Sequence, residues 1–332
     1  SQTAVNGDPT APPLPTAACT DCGHKDLLEV CPNCLVPLPP RWRDLQSTCI
    51  AMAGARFTGK SLFVAVLIQQ AQRLIEQAGG SISPFDEHTR DIYKKLYSEP
   101  LRKERNLLNS TPSQDSQESW QRRPMIFSLG KLGRQRHVLV VRDVAGEDLR
   151  RPDLPDETFQ YFARADAVFF VVDPLRVDSV RQKLRGHIDL PPETGGDPQE
   201  VLDRLVRVMR PGHDGPIAVP LGVILSKFDA LQQLRESPDR VWGTVMRNSG
   251  AAYSREPNQF APYNSADAAL LHAEIRSLLD VLGAGGLRNE IETEFETSQM
   301  FAVSALGQPT VGSRTSPHGI APFRCLDPLR WV

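Results

Sequence analysis

The octapeptide Gly54-Ala55-Arg56-Phe57-Thr58-Gly59-Lys60-Ser61 restricts the possible folds of this chain more than any other segment. It has the form G-x-x-x-x-G-K-S. A short apolar run, 49–53, precedes it, and a stretch of helical composition, 60–77, follows. The glycines let the backbone curl so that successive N–H groups face an anion. The start of the following helix adds the positive end of its dipole. Gly54, Phe57, Thr58 and Gly59 form the backbone cradle, Lys60 is placed to reach β- and γ-phosphates, and the Ser61 hydroxyl is placed to ligate Mg²⁺. An accidental glycine turn is the competing reading, and the strand before and helix after disfavour it. The loop alone does not choose between ATP and GTP.

The remainder of the 332 residues is organised around this loop. Residues 1–16 carry Pro, Ala, Thr and Asn without periodicity and read as a flexible tail. Residues 17–38 are compact and cysteine-punctuated, and 39–47 read as a proline-rich linker. Eight of the 28 prolines fall in the first forty residues, which puts a boundary near residue 40. Residues 48–332 then alternate strand and helix patterns. Strands are expected at 49–53, 125–129, 137–142, 167–172, 220–225 and 300–303, with 125–142 as a hairpin. Helices are expected at 60–77, 200–209 and 266–282. Residues 109–123 are polar and read as a long mobile loop. Such alternation predicts an α/β fold around a mostly parallel sheet.

Composition excludes several classes. Apolar residues make up 40% and charged residues 23%, so a buried core is affordable to the chain and global disorder is not expected. The longest apolar run, 62–68, is far too short to span a bilayer. Residues 1–18 lack the basic and apolar regions of a secretory signal, so a cytoplasmic location is expected. The net charge of −2 provides no global field for nucleic acid, which is an improbable partner. No G-x-S-x-G hydrolase elbow occurs.

Four of the six cysteines form two C-x-x-C pairs, Cys19/Cys22 and Cys31/Cys34, eight residues apart. Two such turns can present four thiolates tetrahedrally to Zn²⁺. The module is too small to fold by burial alone, so the metal would drive its folding. Rubredoxin-like iron and a redox dithiol are weaker alternatives. A closed site of this kind suits docking to protein. Lys25 faces Asp21, Asp26 and Glu29 within the module, a balance that disfavours nucleic acid. Cys49 is expected in the core, and Cys325 as an isolated thiol.

Three short motifs each follow an expected strand, where ligands bind in open α/β sheets. Asp143-Val144-Ala145-Gly146 places a carboxylate suited to hold Mg²⁺ through water, with the Gly146 N–H suited to a γ-phosphate. Ser226-Lys227-Phe228-Asp229 places Asp229 where it can accept from the N1–H and 2-amino groups of guanine, donors that adenine lacks. Lys227 can cover the base and tie down the phosphate loop. Ser304-Ala305-Leu306 offers the Ala305 N–H to guanine O6. Each motif is weak alone; their order and placement carry the argument.

Taken together, these residues resemble the P-loop GTPases of the translation-factor and Ras-like class. G-A-R-F-T-G-K-S, D-V-A-G, S-K-F-D and S-A-L are similar to its first, third, fourth and fifth signature boxes, and the resemblance covers roughly 48–332. It implies GTP/GDP binding with Mg²⁺ and loops that respond to the γ-phosphate, here 109–119 and 146–156. Ser226 replaces the usual Asn or Thr, and a small hydroxyl can partly stand in. Thr111 is expected as the switch I ligand to Mg²⁺, with Ser110 and Ser113 as rivals. The long spacing from Lys60 makes 85–109 a helical insertion, as are parts of 185–216 and 236–265. Combined with the zinc ribbon, D-V-A-G-E and the closing Asp327-Pro328-Leu329-Arg330-Trp331 resemble a bacterial double-GTPase group found with conflict or GTPase-associated gene systems.

The resemblance also bears on hydrolysis. Glu147 stands where Ras-like enzymes carry a water-orienting Gln. A carboxylate accepts from water but adds negative charge beside phosphate, so slow intrinsic turnover is expected. Arg56 is a candidate cis arginine finger; the competing readings are a solvent-facing arginine or an ion pair with Glu147 or Asp148. The expected function is a Mg²⁺-dependent GTPase switch whose loops or zinc ribbon engage an unidentified protein partner. A non-hydrolysing GTP-binding scaffold, an ATP-driven enzyme and a nucleotide-dependent metallochaperone are the alternatives.

Overall fold

A computed structural model describes residues 22–23, 30, 37–38, 42–77, 79–100, 123–188, 190, 196–210, 215–238, 240–258, 261–308 and 319–332. The elements begin with β1 (Leu45–Ala53), α1 (Lys60–Gln77), β2 (Ser83–Pro84) and α2 (Glu87–Ile92), which continues as a π-helical turn over Tyr93–Ser98. Next come β3 (Met125–Leu132), β4 (Gln135–Arg142), β5 (Ala167–Val172), α3 (Asp178–Leu184) and α4 (Pro198–Met209). The last are β6 (Leu221–Leu225), α5 (Phe228–Gln232), α6 (Arg240–Met246), α7 (Ser265–Val281), α8 (Gly285–Glu294), β7 (Ser298–Ala302) and α9 (Asp327–Trp331).

The strands form one sheet in the order β2-β3-β4-β1-β5-β6-β7. The pairs β4–β1, β1–β5, β5–β6 and β6–β7 are parallel, while β3 joins β4, and β2 joins β3, antiparallel. The expected α/β architecture with a mostly parallel sheet is therefore the observed one. All six residues of β5 and all five of β6 are buried. Continuous apolar runs of this kind mark strands covered on both faces, where period-two alternation has no solvent side to serve. On α1, Phe63 meets Phe169 of β5 edge-on at 6.4 Å. Gly79 and Gly80 close α1 by donating to Glu76 O and Ile75 O. Asn264 caps α7 by accepting from the N–H groups of Ala266 and Asp267.

Several boundaries differ from expectation, two of them through strand pairing. Strand β1 begins at Leu45, inside the segment read as linker, because Leu45–Ser47 pair with Arg136–Val138 of β4. Backbone pairing extends the strand where Gln46 and Ser47 carry no apolar signal. Strand β7 starts two residues early, at Ser298, through its pairing with Leu221. Among the described residues, no helix is long and apolar enough to cross a membrane. Of the expected zinc ligands, Cys22 is described and exposed, whereas Cys19, Cys31 and Cys34 lie outside the described residues, as do Thr111, Ser110 and Ser113.

Candidate functional site

The motifs singled out in the sequence follow the carboxyl ends of neighbouring parallel strands. Gly54 follows β1, Asp143 follows β4, Ser226 follows β6 and Ser304 lies just beyond β7. Pairing of Ala51 with Arg142, Ala53 with Phe170, Val172 with Leu225 and Leu225 with Ala302 brings these ends to one rim of the sheet.

The loop between β1 and α1 is held from within. Gly54 has φ +143, and a Cβ there would stand 2.3 Å from Val171 O, so only glycine fits. The Lys60 ammonium donates to Gly54 O at 2.7 Å and Ala55 O at 2.9 Å. Burial pushes its pKa down to about 8, against the upward pull of Asp143 and Glu147. Its positive charge is thus kept inside a ring of backbone with few compensating groups, a setting in which an incoming anion is strongly favoured. Thr58 is buried and donates to Ala55 O at 3.0 Å. Phe57 adopts φ 64, and its exposed ring lies under the Arg56 and Arg176 guanidiniums at 4.8 and 5.7 Å.

Ser226 and Lys227 clamp this loop from the far strand. Ser226 Oγ donates to Thr58 O at 2.7 Å. It also lies 3.2 Å from Val172 O, so the hydroxyl ties the loop to the end of β5. Lys227 sits at φ 51, a left-handed position unusual for a side chain of this size. Its ammonium donates to Phe57 O at 2.8 Å and to Asp173 Oδ2 at 2.8 Å. Asp173, fully buried at the end of β5, also accepts from the Leu175 N–H at 3.0 Å. Sequence reading gave Asp173 no role. Its signal was an acidic residue directly after a six-residue apolar run.

Asp229 lies in the first turn of α5, whose Phe228 N–H donates to Val303 O. Ser304 Oγ donates to Asp229 Oδ1 at 2.5 Å and accepts from the Gly307 N–H at 2.8 Å. Burial pushes the Asp229 carboxyl pKa up, opposed by the Ser304 bond and Lys227. The turn that carries Ser304 and Ala305 is braced by the C-terminal segment. Ser304 and Phe323 exchange backbone bonds at 3.1 and 2.8 Å, and Ala321 N–H donates to Leu306 O. Arg324, buried at φ 51, anchors that segment through Asp267 at 2.8 Å, Asp327 at 2.5 Å and the carbonyls of Ala252 and Arg255. Cys325, expected as an isolated thiol, is buried here and donates to Ser304 O at 3.4 Å, whereas Cys49 is only half-buried.

On the opposite side of the loop, Ser61 Oγ donates to Asp143 Oδ2 at 2.8 Å. The same carboxylate oxygen accepts from Tyr97 OH at 2.9 Å. Burial and the Asp143 charge push the Tyr97 phenol pKa well up, so it remains a donor. Sequence reading missed Tyr97, which lies in a charged stretch without apolar period. Arg56 pairs with Glu147 at 3.0 Å, the ion pair set against the finger reading in the sequence. Residues 146–156 are packed rather than loose: Leu149 is buried, Arg150 pairs with Glu200 at 2.6 Å, and Asp156 pairs with Arg204 at 2.7 Å. A Cβ on Gly146 would fall 2.4–2.5 Å from backbone atoms of Gly54, Ala55 and Arg56. Gly146→Ala is therefore expected to cost about 1–3 kcal/mol through overpacking, read as a lowered calorimetric midpoint. An unchanged midpoint would show that this close contact is not kept in solution.

No protein-family model matches the chain. Among curated proteins, "Putative ESX-1 scaffolding and assembly protein SaeC" of Mycolicibacterium smegmatis is 44% identical over 325 residues, covering 97% of this chain and 83% of the relative. The chain belongs to the SaeC family. Solved structures similar to it are far more distant. A GTP-binding protein of Sulfolobus solfataricus in complex with GDP shares 10% identity, with 79% of this chain and 48% of that one covered and a TM-score of 0.29. The bacterial selenocysteine-specific elongation factor EF-Sec shares 12%, over 79% and 26%, with a TM-score of 0.31. The Trypanosoma brucei Arl6 small GTPase with bound GppNp shares 13%, over 79% and 90%, with a TM-score of 0.33. The chain thus spans about half and a quarter of the first two.

Proposed function

We propose that this SaeC-family protein binds guanine nucleotides with Mg²⁺ and works as a nucleotide-dependent assembly factor for a protein partner. The observation that carries the reading is the clamp between the two halves of the rim. Lys227 and Ser226 bond to the backbone of Phe57 and Thr58, so the loop that would hold phosphates and the turn that carries Asp229 form one cleft. Lys60 and the N–H groups of the loop bind the phosphates. Asp229 accepts from the guanine edge, with the Ala305 N–H opposite O6. The donor set fits Mg²⁺. Ser61 gives its hydroxyl proton to Asp143, which leaves its oxygen lone pairs for a hard cation. The cation, when bound, neutralises charge between phosphate oxygens. Thr111 is assigned as a further ligand, and Cys19, Cys22, Cys31 and Cys34 as a zinc ribbon for protein docking. The likeness to the double-GTPase group and a cytoplasmic location belong to the same reading.

Turnover is proposed to be slow. Glu147 accepts from a water but donates nothing to it, and Arg56 is engaged by that same carboxylate. A GTP-binding scaffold with negligible hydrolysis is the second reading. The Arg56–Glu147 pair favours it, as does the name of the M. smegmatis relative, "Putative ESX-1 scaffolding and assembly protein SaeC". Thermal shift with GTP, GDP, ATP and ADP in Mg²⁺ tests the first part: the guanine nucleotides are expected to raise the midpoint and the adenine ones not. A larger shift with ATP would overturn the base assignment. Phosphate release with protein in excess over GTP then separates a slow switch from an inert scaffold.

A further inference from the structure

Helix α2 and the turn that follows it are fastened to the sheet before they reach the site. Asp86 caps α2 by accepting from the Thr89 N–H at 2.7 Å. Thr89 Oγ1 in turn accepts from the Ile126 N–H of β3 at 3.0 Å. Beyond Ile92 the helix widens, and the Glu99 N–H donates five residues back to Lys94 O. Such π-helical turns change the rotation of the residues they carry, and they occur often at functional sites. Here the turn carries two aromatic rings. Tyr93 lies edge-on to Phe127 of β3 at 5.3 Å and donates to Ala65 O of α1 at 3.3 Å. Tyr97 stacks on Tyr93 at 6.1 Å and is buried. The Tyr97 hydroxyl is therefore delivered to Asp143 by a stack supported on both α1 and β3.

Asp143 Oδ2 receives two hydroxyl donors, Ser61 from the phosphate loop and Tyr97 from the π-turn. Two donors on one oxygen set the plane of the carboxylate. Partners of this kind behind a metal-holding group tune its affinity for the metal without touching the metal themselves. We propose that Tyr97 is a positioning residue for the magnesium of the nucleotide complex. Its hydroxyl fixes Asp143 and so sets how tightly the cation, and with it the diphosphate, is retained. The proposal rests on the guanine-nucleotide reading above.

The test uses the full chain loaded with the fluorescent nucleotide mant-GDP. Its release into excess GDP is timed across a titration of free Mg²⁺ and, separately, in EDTA. Tyr97→Phe is expected to move the Mg²⁺ midpoint about tenfold higher, at the lower end of such effects on metal affinity, with the release rate in EDTA unchanged. Tyr97→Leu, which loses the ring as well, should show at least that shift. Tyr93→Phe removes a hydroxyl that does not touch Asp143 and should leave the midpoint alone. A wild-type midpoint in Tyr97→Phe overturns the proposal. So does an equal acceleration with and without Mg²⁺, which marks a packing role only. So does a matching shift in Tyr93→Phe. A wild-type protein that retains no mant-GDP overturns the nucleotide reading itself, an outcome distinguishable from these.

Discussion

Asp229→Asn is expected to weaken GDP binding about 100-fold, close to 2.7 kcal/mol, and to create affinity for XDP. The variant keeps the local structure, because an Asn Oδ1 still accepts from Ser304 and the turn stays closed. What changes is the second atom, from an acceptor to an N–H donor. Guanine presents donors at N1 and the 2-amino group, so a donor now faces a donor. Xanthine has a carbonyl at position 2, which restores the pairing. A site built on a specific polar pairing rejects a mismatched partner strongly, because the buried groups are left without bonds. Isothermal titration with GDP, XDP and ADP reads the outcome. An unchanged ratio of GDP to XDP affinity would remove Asp229 from base recognition.

Lys60→Met is expected to reduce nucleotide affinity about a thousand-fold while leaving the fold intact. Charge-assisted bonds are each worth roughly 1.5–3 kcal/mol, and the ammonium that now bonds Gly54 O and Ala55 O is the buried positive charge of the loop. Its effect on stability has the opposite sign. The group titrates near 10.5 in the open chain and about 8 in the fold, so the charged form is held at a cost. Between those two values the unfolded chain binds more protons than the folded one, and stability rises with pH. Below about 8 the cost is fully present; it is relieved progressively toward 10.5. Urea melts at pH 7 and pH 9.5 should therefore show the difference between wild type and Lys60→Met moving in favour of wild type at the higher pH. A difference independent of pH would show that Lys60 is not strained by burial.

The parts of this protein that were legible in its sequence are those whose cause is local. The apolar run Ala167–Val172 is a strand of those bounds because β-branched and aromatic residues buried on both faces need no partner pattern to be recognised. Helix α1 has its expected bounds because the loop starts it and Gly79-Gly80 stops it. The brackets of the site were readable for the same reason, since glycines, a lysine and an aspartate at strand ends are local signs. Asp173 and Tyr97 were not readable, because their roles are defined by contacts 54 and 46 residues away. The first four residues of β1 were also missed, as pairing to β4, not their own side chains, makes them strand. The Arg56–Glu147 pair is likewise a contact across 91 residues that no local pattern marks.

The bracing of the Ser304 turn by residues 319–327 has a consequence for the order of events during synthesis. The loop after β1 has its own residues once residue 61 has been made, its close neighbours Gly146 and Val171 later, and its clamp with residue 227. The turn that carries Ser304 and Ala305 is pinned only after Phe323 and Arg324 have been made. Under the proposed function, the phosphate end of the cleft is therefore assembled in the growing chain before the base end is.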